Sequence, residues 1–122
     1  MQQTLSQRLS QAAYPLVAQR RQGGKLPAEY VTFAKKFPAL VHTCGLAQAV
    51  AFAEAKGETD YLHDLALVLA HSKSVGVKNE KELADKVRQA QILEYMRLSQ
   101  RVIDAASWLK RYVEALDSDQ QA

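Results

Sequence analysis

Residues 37–57 read FPALVHTCGLAQAVAFAEAKG. Pro38 suits the first turn of a helix, where a missing backbone donor costs nothing. From Pro38 to Ala53 there is no Asp, Glu, Lys or Arg, and Gly45 sits within that run. A charge-free helix in a chain of 122 residues is normally the buried centre around which others pack. The stretch therefore predicts a helix over roughly 38–56 as the most buried element. Gly45 would be its point of close helix approach and Cys44 a small buried residue.

The surrounding sequence predicts more helices and no strand. A first helix is expected over 4–21, where Leu5, Leu9, Ala12, Ala13, Leu16 and Val17 recur at helical spacing. Pro15 inside it predicts a kink or a split. Gly23 and Gly24 stop it in the loop 22–25. A second helix opens at Pro27 with an apolar face of Tyr30, Val31, Phe33, Ala34 and Phe37, and is expected to end before Pro38. A fourth begins near Thr59 and turns Tyr61, Leu62, Leu65, Ala66, Val68 and Leu69 inward. Asn79 reads as an N-cap with Glu82 at capping-box spacing, opening a short helix over 80–89 with Leu83 and Val87 inward. The last helix is expected over 91–117, with near-heptad apolar spacing and a length of about 40 Å. The tail 117–122 is expected to fray. The fold class is all-α: one domain over 1–122, a single compact bundle of five to six helices with a buried central helix and a long C-terminal helix.

Composition agrees with a globular domain, at 48% apolar and 24% charged residues. No apolar segment reaches the roughly 18 residues of a membrane span. MQQTLSQRLS carries no apolar run of the signal-peptide kind, and a lone cysteine suits a reducing compartment. A cytoplasmic protein is expected, with no membrane partner.

Catalytic patterns are missing from the sequence. The glycines at 23, 24, 45, 57 and 76 form no phosphate loop, and no HExxH occurs. His42 and Cys44 have no further Cys or His nearby in sequence. His63 and His71 are eight residues apart, about two helical turns, too far to share one ion. Asp60 and Asp64 stand four apart near a helix start, which reads as a dipole-matched surface pair; a lone Mg²⁺ there is the weaker reading. No catalytic residue, metal or cofactor is expected, and the chain is not read as an enzyme.

Charge is the remaining signal. The net charge is +3, but residues 1–36 carry six basic groups against Glu29 alone, a balance of +5. Such an excess is the footprint of a surface that meets a polyanion. Arg20, Arg21 and Lys25 surround the first loop, while Lys35 and Lys36 close the second helix. A short turn that folds the two helices back on each other would set these clusters about 15 Å apart. Lys110 and Arg111 would extend the strip beside Trp108 and Tyr112, a mixture of basic and aromatic side chains suited to single-stranded nucleic acid.

Two segments carry a resemblance. Phe37-Pro38, Leu40-Val41, Thr43-Cys44-Gly45-Leu46 and Gln48-Ala49-Val50-Ala51-Phe52 resemble the small α-helical subunit family of type III-B CRISPR effector (Cmr) complexes. The closing segment EYMRLSQRVIDAASWLKRYVEAL, with Tyr95-Met96-Arg97 and Trp108-Leu109-Lys110-Arg111, is similar to that family's last helix. His42 and Cys44 depart from its pattern, and no RNA contact is assigned to them. The resemblance implies a non-catalytic subunit that stacks with further copies of itself beside other Cmr subunits. It also implies a part in holding guide RNA paired with target RNA in antiviral defence. The rival reading is a stand-alone helical adaptor or regulator that docks a protein through its long last helix. A helix-turn-helix DNA binder fits less well, because the third helix is almost uncharged.

Overall fold

The computed structural model describes residues 2–117. Six helices run along them: α1 Leu5–Gln19, α2 Ala28–Cys44, α3 Leu46–Ala55, α4 Thr59–His71, α5 Glu80–Gln89 and α6 Ile92–Leu116. The expected fraying lies outside the described residues from 118 onward. Asp117 is described, buried, and donates its N–H to the Val113 carbonyl.

The helix ends follow local chemistry. Thr4 and Gln7 form a reciprocal capping box at the start of α1, with the Gln7 N–H donating to Thr4 Oγ1 at 3.0 Å and the Thr4 N–H to Gln7 Oε1 at 2.8 Å. Asn79 caps α5 by accepting from the Glu82 N–H at 2.9 Å. The return bond is displaced by one residue, because the Glu82 carboxylate accepts from the Lys78 N–H. Gly23 and Gly24 both take positive φ, as a tight two-residue reversal demands, and Gln22 and Lys25 pair backbone to backbone across it.

The structure excludes a split at Pro15 and a helix start at Pro38. Pro15 lies within one continuous α1 and does not split it. Pro38 opens no helix, since α2 runs through it to Cys44. The reason is burial: Phe37, Pro38 and Val41 all face the core, and their combined apolar contact outweighs one lost backbone bond.

Gly45 makes the break instead. Its φ of 86° and ψ of 160° lie in a region essentially reserved for glycine. Its N–H closes α2 on the Val41 carbonyl, and its carbonyl accepts from Ala49 N–H to start α3. The expected close helix approach at Gly45 is not there: a Cβ would meet only Tyr95 Oη, at 3.8 Å. Cys44, at the helix end, is exposed and not buried.

The most buried element is α4, not the stretch from Pro38 to Ala55. Tyr61, Leu65, Ala66, Val68 and Leu69 have no solvent exposure, whereas α3 leaves Ala47, Gln48, Ala51 and Phe52 exposed. Geometry explains this, because α4 touches each of the other five helices. The long α6 packs its Leu98, Val102, Ala105, Ala106, Leu109 and Val113 seam against α1, α2 and α4. α1 and α2 lean on α6 more than on each other, so the expected helical hairpin between them is replaced by two helices sharing a third. No helix among the described residues is long and apolar enough to cross a membrane.

Candidate nucleic-acid interface

Seven basic residues were expected to form one surface, and one of them, Arg20, is engaged within the fold. Arg20, the C-cap of α1, turns inward. Its Nε and Nη2 donate to the two carboxylate oxygens of Asp64 at 3.0 and 2.9 Å. Its Nη1 lies 3.2 Å from Asp60, and its guanidinium sits 5.5 Å from the centroid of the Tyr30 ring. Tyr30 donates its hydroxyl to the same Asp64 at 2.5 Å. The hydrogen bond to Asp64 is the main cause that pushes the Arg20 pKa up. Burial, then the neighbouring Asp64 charge, pushes the Tyr30 and Tyr61 hydroxyls up as well.

This corrects two expectations. Asp64 is not a surface dipole partner of Asp60, for it is only 2% exposed and is held between α1 and α2. Arg20 is not a free surface cation, because its guanidinium is held by buried Asp64 and by Asp60 at the surface. With Arg8 Nε donating to the Ser72 carbonyl at 2.8 Å, the pair fastens α1 to both ends of α4.

The other six basic residues lie nearer the surface. Arg21, Lys25, Lys36 and Arg111 are exposed, while Lys35 and Lys110 are half-buried. Lys36 belongs to a cluster that sequence reasoning missed. Its Nζ lies 5.5 Å from the centroid of Phe33 and 5.1 Å from that of Phe52. Lys56 Nζ lies 5.7 Å from the Phe52 centroid. The rings of Phe33 and Phe52 are nearly parallel, 12° apart with centroids 6.2 Å apart. Phe33 in turn packs on Phe37 and Tyr61 in the core. An open groove of about 360 Å³ adjoins them, with Glu29 and Glu58 on its walls. Burial, then the Glu29 charge, raises the Glu58 pKa. One signal was legible: Phe52 and Lys56 are four apart, hence on one helix face.

A second aromatic group lies between α1 and α6, and Lys110, two residues from both Trp108 and Tyr112, is on the other side of the helix. Trp108 stacks on Tyr112 at 5.7 Å, and Tyr14 meets Tyr112 edge-on at 5.3 Å. The Tyr112 hydroxyl pairs with Ser10 Oγ at 2.6 Å. Trp108 is half-buried along α1, so it is partly a packing residue. Of the seven expected residues, Arg20 lies over the Tyr30 ring while bound to Asp64, and Lys36 lies over the exposed Phe52 ring.

Among the described residues no three His, Cys, Asp or Glu side chains converge as metal ligands would. His63 pairs with Glu80 at 2.7 Å, and that hydrogen bond is the main cause of the lowered Glu80 pKa.

The fold and its surface define an all-helical module that presents aromatic side chains beside basic ones. The family model described as CRISPR-associated protein (Cas_Cmr5) matches residues 5–116. A Thermus thermophilus protein, "CRISPR system Cmr subunit Cmr5", is 39% identical over 117 residues, which cover 93% of this chain and 96% of that one. The crystal structure of a CRISPR-associated Cmr5 family protein from the same organism superposes with a TM-score of 0.81 at 39% identity, covering 94% of this chain and 99% of that one. The chain belongs to the Cmr5 family of CRISPR-associated proteins.

Proposed function

We propose that this protein is a non-catalytic small subunit of a type III-B (Cmr) CRISPR ribonucleoprotein effector, working in the cytoplasm in antiviral defence. It stacks with further copies of itself beside other Cmr subunits and helps hold the guide RNA–target RNA duplex. The observation that carries this reading is the family match, which spans nearly the whole chain and includes a relative named as a Cmr subunit.

Two surface features support the finer parts. The first turns of α6 expose Ile92, Leu93 and Met96 at 76%, 68% and 62%. Three neighbouring large apolar side chains on a helix end are a contact surface for another protein, and a further copy of this chain is the partner proposed. The exposed basic residues Arg21, Lys25, Lys36 and Arg111, with Lys35 and Lys110, supply charge for an RNA backbone, which acts through phosphates and shape. The stand-alone adaptor reading is disfavoured, because the relative that matches nearly the whole chain is named as a subunit of a larger system.

The test is affinity purification of the native complex from a host carrying the tagged chain, followed by mass spectrometry. Recovery of other Cmr subunits with CRISPR RNA is expected. A Leu93→Asp/Met96→Asp chain should fold normally but be recovered with fewer copies of itself. Recovery of the chain alone would defeat the proposal.

A further inference from the structure

We infer that Phe52, flanked by Lys36 and Lys56, is a stacking platform for one unpaired nucleotide of an RNA strand. The inference rests on the RNA-binding role proposed above and names a site for it.

Phe52 is the outermost ring of an aromatic chain that begins in the core. Tyr61 is fully buried and meets Phe33 edge-on at 5.3 Å, and Phe33 carries Phe52 at 6.2 Å in near-parallel orientation. The inner rings hold Phe52 in place, yet it remains 37% exposed. A ring held from beneath, with lysine ammonium groups over it, loses little freedom when a base displaces them and stacks.

The charges around it complete the site. Lys36 and Lys56, from different helices, bring their ammonium groups to 5.1 and 5.7 Å from the Phe52 centroid. Glu58 already interacts with both ammonium groups, so a phosphate reaching Lys36 and Lys56 competes with that carboxylate for them. A nucleotide places a base and a phosphate at just such a separation. Glu29 and Glu58 line the same groove as Lys36 and Lys56. Neither lysine nor phenylalanine reads base edges, so recognition is tolerant of sequence. A paired base hides both faces in its stack, so the platform selects unpaired RNA.

The test is fluorescence anisotropy with the full-length chain and a fluorescein-labelled oligo(A) RNA of about 12 nucleotides, compared with an RNA duplex of the same length, at roughly 50–200 mM salt. Phe52→Ala should weaken single-strand binding about 5- to 100-fold while shifting duplex binding less than about twofold. Phe52→Trp should retain binding. Lys36→Ala and Lys56→Ala should each reduce the salt slope by about 0.7. Circular dichroism checks that every variant is folded. Unchanged single-strand affinity in folded Phe52→Ala, loss in Phe52→Trp equal to that in Phe52→Ala, or no single-strand binding by the wild-type chain would each overturn the inference. If the wild-type chain still co-purifies with other Cmr subunits, the subunit role survives that failure; if it does not, the wider reading falls instead.

Discussion

Arg20 and Asp64, forty-four residues apart, form a two-pronged ion pair that joins the end of α1 to the centre of α4. Its carboxylate is buried, and Tyr30 of α2 donates a third hydrogen bond to it. One side chain therefore ties three helices.

Removing that carboxylate should be costly. Asp64→Ala strands a cation that is three-quarters buried and leaves the Tyr30 hydroxyl without its acceptor. We expect a loss of about 3 kcal/mol, the lower end for a broken buried pair, because Arg20 retains Asp60. Urea denaturation measures it, and a loss below about 1 kcal/mol would show that the pair is dispensable.

Alkaline pH should weaken the fold through Tyr30 and Tyr61. Both hydroxyls are pushed above the ordinary tyrosine value of 10.0 by burial and by Asp64. A group whose folded pKa is raised contributes stability that is complete below the unfolded value and is lost as pH climbs above it. Stability should therefore fall from about pH 10 upward. The Tyr61 hydroxyl is buried with no hydrogen-bond partner among the described residues. Tyr61→Phe should thus be neutral at about pH 7, or stabilise by up to about 1 kcal/mol, and should lose less stability between about pH 9 and 11 than wild type. Chemical denaturation across that range gives the comparison.

Gly45→Ala should destabilise by about 1–3 kcal/mol, although a Cβ there would make only an ordinary contact with Tyr95 Oη. The cost is backbone strain at φ 86°, not crowding. Gly76→Ala, where space is open and φ is not in the left-handed region, is the matched control and should melt like wild type. Equal melting temperatures for the two variants would show that the joint between α2 and α3 relaxes freely.

Lys35→Glu/Lys36→Glu should weaken RNA association of the reconstituted complex and flatten its salt dependence, while the isolated chain stays folded. Filter binding over a salt series reports both quantities. Identical affinity and slope would leave this face solvated and confine the subunit to protein packing.

The purified chain alone is expected to cut neither single-stranded nor duplex RNA in Mg²⁺ or Mn²⁺. Arg20 already occupies the Asp60 and Asp64 carboxylates. Metal-dependent cleavage abolished by Asp60→Asn would reverse the non-catalytic reading.

Much of the architecture was legible because its signals are local. The caps and apolar spacing of α4, α5 and α6 act within one or two turns, and their predicted limits match to within a residue at the ends that were assigned. Phe37–Phe52 and Tyr95–Arg111 carried the family resemblance, which the match over 5–116 bears out. Other features depend on partners distant in sequence, and only the tertiary structure decided them. Pro38 reads as a helix start until Phe37 and Val41 are seen in the core, where packing outweighs the missing bond. Asp64 reads as a surface carboxylate until Arg20 and Tyr30 arrive from forty-four and thirty-four residues away. Phe52 and Lys56 share a face by spacing alone, but Lys36 and Phe33 join them only when α2 and α3 fold against each other at Gly45. Backbone preference extends over a single turn, whereas burial and charge pairing are set by whichever helix closes over a residue.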